Sequence, residues 1–388
     1  MQEKLWNKEF VKISITYFLI ASSFYLLVPA IPLYLSEVLN VPHSRIGIAL
    51  SSYVFALLIV RPFSGYWVDV LERKPLLMAG LITFVLIYFG YFFALTVTTF
   101  VVIRFIHGLF WGLSSVSINT TAIDVIPSTR RAEGIGFFGV NMNLAMAIAP
   151  FIAVVIYESF GFNILIACSI GMGILAIISA SLIKTPPREK LDKTPPLSLD
   201  RFILVKGVPI MLNQFLMAFG YGTLVAFAIL YGKNINVENV GIFFIFLASG
   251  IVVSRIIAGR LVDRGHLHKV MSAALLILAI AFTLFAVNQT PTSYSFSAFL
   301  LGLGFGTLFP SLQTIFINIA PSSQRGTANS TYLTGFDVGI GGGMLIGALL
   351  VEKLGFKEMY LITAALYLVA LVIYWFNSRK IYEKWKLK

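Results

Sequence analysis

The chain has 388 residues, of which 58% are hydrophobic and only 12% are charged, and its formal net charge is +12. Soluble domains carry about 25% charged residues, so this composition excludes a fold that faces water on every side. The single cysteine, Cys168, excludes an internal disulfide, and the four histidines show no metal-ligand spacing. We therefore expect a membrane protein with no metal and no cofactor.

Twelve apolar stretches follow one another along the chain. Each is long enough for a helix that crosses the bilayer, which needs about 20 residues. Their centres lie near residues 23, 56, 86, 111, 147, 172, 217, 250, 279, 305, 339 and 367. The first stretch is too long for the core of a signal peptide, so we interpret it as the first span. The prediction is an all-α integral membrane protein with twelve transmembrane helices.

Basic residues are distributed unequally between the two sides of these spans. Only four of the 29 Lys and Arg residues fall in loops on one side, namely Arg45, Lys233, Lys353 and Lys357. Most of the others fall on the side that holds both termini, which the positive-inside rule makes cytoplasmic. The positive charge therefore indicates orientation in a lipid bilayer, and we expect no nucleic-acid partner.

The two halves of the chain are related in sequence. A polar stretch with four prolines, residues 184–201, is typical of an extended linker. It predicts two six-helix bundles, residues 1–184 and 204–388, joined by a cytoplasmic linker at 185–203. At an offset of 194 residues, 13 of 56 positions from His107 onward are identical, against about 4 expected by chance. Such duplication is typical of secondary transporters, whose substrate site lies near the midplane.

The loop after the second span contains a recognisable motif. It reads Gly65-Tyr-Trp-Val-Asp69-Val-Leu-Glu-Arg73-Lys74, and it resembles the signature G-x-x-x-D-[RK]-x-G-[RK]-[RK] of the major facilitator superfamily. Val70 and Glu72 depart from that signature. The resemblance implies a cytoplasmic latch in which the aspartate caps a helix N-terminus or pairs with a cation. The further residues assigned to this latch, including the repeat copy and the family's acid-x6-Arg element, are Arg61, Asp124, Arg131, Arg255, Gly259, Asp263, Arg264 and Arg325.

The fourth span carries a basic residue inside the apolar stretch. Arg104-Phe-Ile-His107-Gly108 resembles the R-x-x-[QH]-G motif of proton-coupled family members, in which the arginine is linked to proton transfer. Arg104, His107 and Trp111 share one helix face. A buried arginine costs about 2.5–3.5 kcal/mol on insertion scales, so it must face protein or water. A structural ion pair or backbone clamp for Arg104, and a hydrogen-bonded core role for His107, stay open.

The fifth span carries small residues at a regular spacing, at Gly136, Ala145, Ala149, Pro150 and Ala153. The pattern resembles the motif G-x8-G-x3-G-P-x2-G-G of drug:proton antiporters, with alanine in place of three glycines. Small residues at that period allow close helix packing. The resemblance implies an export-type gate, and generic small-residue packing is the alternative.

Asp337 is the one acidic residue that the sequence places well inside a span. Intramembrane acids usually serve substrate or ion pathways, so we expect proton coupling or cation binding, with a permanent salt bridge as the alternative. Polar and aromatic residues of other spans are candidates for lining a substrate cavity: Tyr17, Tyr25, Trp111, Asn143, Asn213, Gln214 and Tyr221.

The motifs found are those of a transporter and not of an enzyme. The sequence has no nucleotide-binding loop or catalytic motif, so a proton gradient is the expected energy source. The resemblance implies a monomeric, proton-coupled efflux antiporter of the bacterial inner membrane that exports a small amphipathic molecule by alternating access. A proton-coupled importer or facilitator of a sugar or organic anion has the same architecture and stays open. So does a non-transporting receptor or scaffold, which predicts no ligand-dependent change in cysteine accessibility.

Overall fold

The computed structural model describes residues 5–127, 131–185, 203–263, 265–320 and 325–386. The described part is helical throughout, and no strand occurs in it. The α-helices, in chain order, are α1 (Lys8–Glu37), α2 (His43–Val70), α3 (Arg73–Tyr88), α4 (Val97–Val125), α5 (Arg131–Ser181), α6 (Val208–Asn234), α7 (Ile242–Asp263), α8 (Leu267–Val287), α9 (Pro291–Asn318), α10 (Arg325–Leu354), α11 (Phe356–Ile373) and α12 (Arg379–Trp385). Short 3-10 turns at Phe89–Phe93 and Val205–Gly207 and a π-helical turn at Tyr374–Ser378 complete the order.

Length and hydropathy of these helices fit the predicted number of crossings. Ten helical runs in the described residues are long and apolar enough to span a bilayer. One of them, Phe137–Ser181, has 45 residues and therefore provides two crossings. The apolar part of α7, Ile242–Ser254, adds a further one. The all-α fold with twelve spans that the sequence predicts is confirmed.

Two glycines separated by the repeat offset divide neighbouring spans. Gly161 interrupts α5 with φ 81° and ψ 178°, and Gly355 separates α10 from α11 with φ 97°. These backbone angles are strained for any residue that carries a Cβ atom. Each glycine therefore reverses the chain between two spans without a longer loop.

The chain forms two compact units. One contains residues 5–40 and 52–185 of the described part, and the other contains residues 41–51 together with those from 203 onward. The first turns of α2 thus group with the second unit. The predicted division at 185–203 stays a prediction, because residues 186–202 lie outside the described part.

In the first unit, α1 packs against both parts of α5. The ring of Tyr17 stacks on Phe138 at 4.8 Å between centroids, and Tyr34 stacks on Phe162 at 4.1 Å. The Ser23 hydroxyl donates to the Ser169 carbonyl oxygen at 2.7 Å. These contacts fix α1 beside the helices that carry the candidate site.

In the second unit, α6 and α10 lie in very close contact. A Cβ atom at Gly339 would lie 2.6 Å from the Ala218 Cβ and 2.7 Å from the Phe215 carbonyl oxygen. The backbones of Gly222 and Ile340 make a second close approach further along the same pair. At these contacts only glycine, which has no Cβ atom, lets the backbones of α6 and α10 approach so closely.

Candidate functional site

Arg104 lies in α4 of the first unit and is buried, with 1% of its surface exposed. A capping box of Thr96 and Thr99 fixes the start of α4. Arg104 follows eight residues after Thr96, about 12 Å along the helix axis. The helix start therefore determines how deep the guanidinium lies within the span.

The Arg104 guanidinium is held by aromatic rings. Its Cζ atom lies 4.6 Å from the centroid of the Tyr53 ring and 5.3 Å from that of Phe24. Its Nε and Nη1 atoms have no hydrogen-bond partner within the described part of the chain. Arg104 forms no ion pair with any carboxylate that the structure describes. The alternative of a structural ion pair for Arg104 therefore finds no partner among these residues.

The rings beside Arg104 form a continuous aromatic wall. Phe24 of α1 stacks on Tyr53 of α2 at 5.0 Å and on Trp111 of α4 at 4.7 Å. Three helices of the first unit therefore contribute to one apolar surface beside a buried cation. A cation over such a face gains about 2 kcal/mol or more when it is desolvated.

His107 lies one turn after Arg104 and is fully buried. Its Nδ1 atom lies 3.2 Å from the Tyr91 hydroxyl, and the tautomer decides which of the two donates. The imidazole packs on Phe84 at 4.2 Å and on Tyr88 at 4.6 Å. Its Nε2 atom has no hydrogen-bond partner in the described residues. One ring nitrogen is thus oriented by a tyrosine, and the other is available for a proton.

Asp337 lies in α10 of the second unit and is half-buried. It follows twelve residues after the start of the helix at Arg325, about 18 Å along the axis. Gly335 and Gly339 of the same helix contact α6. Two residues correspond to about 200° around a helix, so Asp337 lies on the side of α10 away from α6.

The cavity candidates of α6 have different surroundings. Asn213 is fully buried, and its amide lies 3.0 Å from Ser378 Oγ and 3.0 Å from the Ala370 carbonyl oxygen, which joins α6 to the end of α11. Gln214 is also fully buried, but neither of its amide atoms has a partner among the described residues. Tyr221 packs edge-on against Phe305 at 5.3 Å.

The cavity candidates of the first unit lie in separate places. Tyr17 stacks on Phe138 and donates from its hydroxyl to Met142 Sδ at 3.1 Å. Tyr25 packs edge-on against Phe24 at 5.2 Å and so borders the aromatic wall. Trp111 belongs to that wall. Of these candidates, Tyr25 and Trp111 both contact Phe24, one of the two rings beside Arg104.

Among the described side chains, an ion pair joins two predicted latch residues of the first unit. Arg73 Nε lies 2.9 Å from Asp124 Oδ2, and Arg73 also donates to the Val68 carbonyl oxygen. Lys74 Nζ donates to the carbonyl oxygens of Ser181 at 2.6 Å and Ile183 at 2.9 Å, next to the C-terminus of α5. These contacts join α2, α3, α4 and α5. Arg61 is half-buried.

Several predicted residues fall outside the described side chains. The structure describes only the backbone at nine of these positions and leaves one residue out. The nine are Gly65, Asp69, Arg131, Gly136, Asn143, Arg255, Gly259, Asp263 and Arg325, and the residue left out is Arg264. In the small-residue pattern of α5, Ala145, Ala149, Pro150 and Ala153 are all buried.

Sequence reasoning missed four residues that complete the Arg104 and His107 surroundings: Phe24, Tyr53, Tyr88 and Tyr91. The Ser23 hydroxyl lies 3.0 Å from that of Tyr88, and so extends the polar contacts to α1. Tyr88 and Tyr91 lie three residues apart at the end of the third span, a spacing that places both on one helix face. That spacing is the feature of the sequence that could have identified these two tyrosines.

Comparison with known proteins adds the family context. The family model described as "Major Facilitator Superfamily" matches residues 13–267 and 210–388. The chain is 24% identical over 374 residues to "Multidrug resistance protein MdtG" of Enterobacter lignolyticus, covering 92% of this chain and 89% of that protein.

Solved structures match the fold over nearly the whole chain. A crystal structure of a bacterial homologue of the human lysosomal transporter Spinster matches with a TM-score of 0.80 and 12% identity, covering 98% of both chains. A D-xylose–proton symporter matches with a TM-score of 0.78 and 14% identity, covering 95% of this chain and 96% of that one.

Proposed function

The chain belongs to the major facilitator superfamily, and we propose that it exports a small amphipathic molecule in exchange for protons. In this proposal it acts as a monomer in the bacterial inner membrane, with both termini in the cytoplasm. The two repeats expose the substrate site alternately to the two sides.

The observation that carries the proposal is the buried Arg104 beside His107 in an aromatic wall. A charge removed from water is costly, so buried charged residues within spans usually serve a substrate or ion path. Mostly apolar and aromatic walls with few polar groups are typical of small-molecule sites. The Phe24–Tyr53–Trp111 stack offers a surface for the apolar part of a substrate. The name of the multidrug resistance relative is consistent with export.

Proton coupling is assigned to Asp337, together with the Arg104–His107 pair. A carboxylate binds one proton reversibly, and an imidazole with one available nitrogen does the same. Each proton that moves down a potential of 100 mV supplies about 2.3 kcal/mol. One proton per cycle therefore drives roughly a fiftyfold accumulation at that potential, since 1.4 kcal/mol corresponds to a factor of ten.

The test is transport by the purified protein in proteoliposomes. An amphipathic fluorescent dye is placed on one side, and a pH gradient is imposed by dilution. We expect dye movement opposite to the proton gradient, with rates that vanish when the gradient is collapsed by a protonophore. Dye flux that ignores the gradient would contradict the proposal, as would flux no faster than in protein-free liposomes.

A second candidate function is transport of an organic anion. The observation that favours it is the Arg104 guanidinium, which has two atoms without partners and no carboxylate nearby in the described residues. A carboxylate substrate would supply the missing partner. Counterflow with an aromatic carboxylate and with its neutral amide distinguishes the two candidate functions. An organic-anion transporter should transport the carboxylate faster than the amide, and an exporter of amphipathic molecules should not.

A further inference from the structure

Two tryptophans lie at the end of the second unit, beyond α11. Trp375 belongs to the π-helical turn Tyr374–Ser378, and Trp385 ends α12. Both are partly exposed, at 40% and 38% of their surfaces. Basic side chains lie over both rings. We call Lys206, Trp375, Arg379, Lys384 and Trp385 the basic platform.

The cations of the basic platform are paired with aromatic faces. Arg379 Cζ lies 4.3 Å from the centroid of the Trp375 ring. Lys206 Nζ lies 4.2 Å from the Trp385 ring, and Lys384 Nζ lies 5.1 Å from the same ring. Two ammonium groups therefore lie over one indole, one from the turn Val205–Gly207 and one from α12.

Hydrogen bonds fix the elements that carry the platform. The Trp375 indole Nε1 donates to Ser272 Oγ of α8 at 2.9 Å. Asn377 Nδ2 donates to the Pro209 carbonyl oxygen of α6 at 3.1 Å. The turn Tyr374–Ser378, which leads into α12, is thus anchored to both α6 and α8.

Among the described residues, no acid forms an ion pair with the cations of the platform. Glu383 is the acid on α12, and its oxygens lie 2.7 Å from His268 Nε2 and 2.5 Å from Lys386 Nζ. In the described part of the chain, no carboxylate lies within 4.0 Å of the nitrogens of Lys206, Arg379 or Lys384. The cation on Trp375 and the two cations on Trp385 therefore have no counter-charge among the described residues.

An apolar surface continues from the platform. Val372 and Phe376 on one side and Val205 and Val208 on the other are exposed, at 56%, 71%, 68% and 45%. Tryptophans with lysine and arginine beside an apolar band are typical of the membrane–water interface. A ligand that fits both parts has an anionic head and an apolar tail.

We propose that the basic platform binds the phosphate of an acidic phospholipid such as phosphatidylglycerol, with the acyl chains along the neighbouring apolar surface. An acidic leaflet attracts each nearby basic residue and strengthens binding by about fivefold per residue. The positive-inside prediction places this end of the second unit at the cytoplasmic leaflet. The proposal does not depend on the substrate or on the direction of transport.

The experiment uses the full chain in nanodiscs and its tryptophan fluorescence. The discs contain phosphatidylcholine, with the same mole fraction of either brominated phosphatidylglycerol or brominated phosphatidylcholine as the quencher. We expect the brominated phosphatidylglycerol to quench more strongly, and the excess to shrink with added salt, because exposed charges are screened over about 8 Å at physiological ionic strength.

A triple variant and a charge-matched control test whether the excess quenching by brominated phosphatidylglycerol arises at the basic platform. Lys206→Gln/Arg379→Gln/Lys384→Gln should lower the selectivity for phosphatidylglycerol by about a hundredfold. Arg45→Gln/Lys353→Gln/Lys357→Gln removes one arginine and two lysines that are exposed at helix ends on the side predicted to be opposite, and it should keep the selectivity. If the triple variant does not fold, Arg379→Gln alone should lower the selectivity about fivefold.

Three outcomes would overturn the proposal. The first is equal quenching by the two brominated lipids in the unsubstituted protein. The second is an excess that survives in a folded platform variant. The third is an excess abolished by inorganic phosphate at constant ionic strength, since that result describes a site for free anions and not for a lipid.

Discussion

At the residue scale, Arg104 is stabilised by aromatic faces, and its planar group lies beside the stacked rings of Tyr53 and Phe24. A lysine in its place keeps the charge but loses the flat shape that stacks on rings. The nature of the charged group therefore matters here, and not only its sign.

We predict that Arg104→Gln lowers transport at least about tenfold, because the mutation removes the buried cation, and that Arg104→Lys does not restore it. Initial rates in proteoliposomes at matched protein content measure the effect. Arg45→Gln is the control, since Arg45 is exposed in the first turn of α2. Wild-type rates for Arg104→Lys would contradict the role assigned to the guanidinium.

We predict that Asp337→Asn abolishes transport driven by a pH gradient, because an amide, unlike a carboxylate, does not bind and release a proton. Exchange of substrate without a gradient should persist, which shows that the protein is folded. Glu358→Gln, at an exposed acid of α11, should change neither activity. Gradient-driven transport at the normal rate in Asp337→Asn would refute the coupling role.

The sequence predicted Arg104 and His107 because a charged residue in an apolar stretch stands out against its neighbours. It did not predict Tyr53 or Phe24, because aromatic residues within an apolar span carry no local signal of which ring will meet a cation. That information depends on how α1, α2 and α4 pack against each other.

At the element scale, the contact between α6 and α10 depends on glycine. We predict that Gly339→Ala destabilises the protein by about 1–3 kcal/mol, because the added Cβ overlaps Ala218 and the Phe215 backbone. A thermal unfolding curve in detergent measures the change. Gly171→Ala is the matched control, since a Cβ there meets nothing within 4 Å, and alanine favours the helix.

We predict that the Arg73–Asp124 pair contributes modestly, about 0.5–1 kcal/mol, because both side chains are partly exposed, at 11% and 30%. A double-mutant cycle with Arg73→Ala and Asp124→Ala measures the coupling through thermal unfolding. Strictly additive single effects would show that the two charges do not stabilise each other.

The helices themselves were predicted well because length and hydropathy suffice for a span. Which helices pack against each other within each unit was harder to predict from the sequence. The pairing of Asn213 with the end of α11, for example, makes a predicted cavity residue part of the packing between two helices. A polar residue on an apolar face is compatible with either outcome until the neighbouring helix is known.

At the scale of the whole molecule, the duplication explains several features at once. Gly161 and Gly355, 194 residues apart, adopt similar positive φ angles of 81° and 97°, which extends the sequence repeat to the backbone. The repeats have also diverged. The position of Arg104 corresponds to Ala298, and that of Asp337 to Asn143. Each unit thus carries one of the two charges to which we assign a function, so neither unit is sufficient for the proposed cycle.

The most direct test of the proposed function is proton movement caused by substrate. A pH-sensitive dye is trapped inside proteoliposomes that have no initial gradient, and the amphipathic substrate is added outside. We predict substrate-dependent proton flux in the direction opposite to substrate movement in the wild type, and none in Asp337→Asn. Substrate movement without any change in internal pH in the wild type would contradict proton-coupled export.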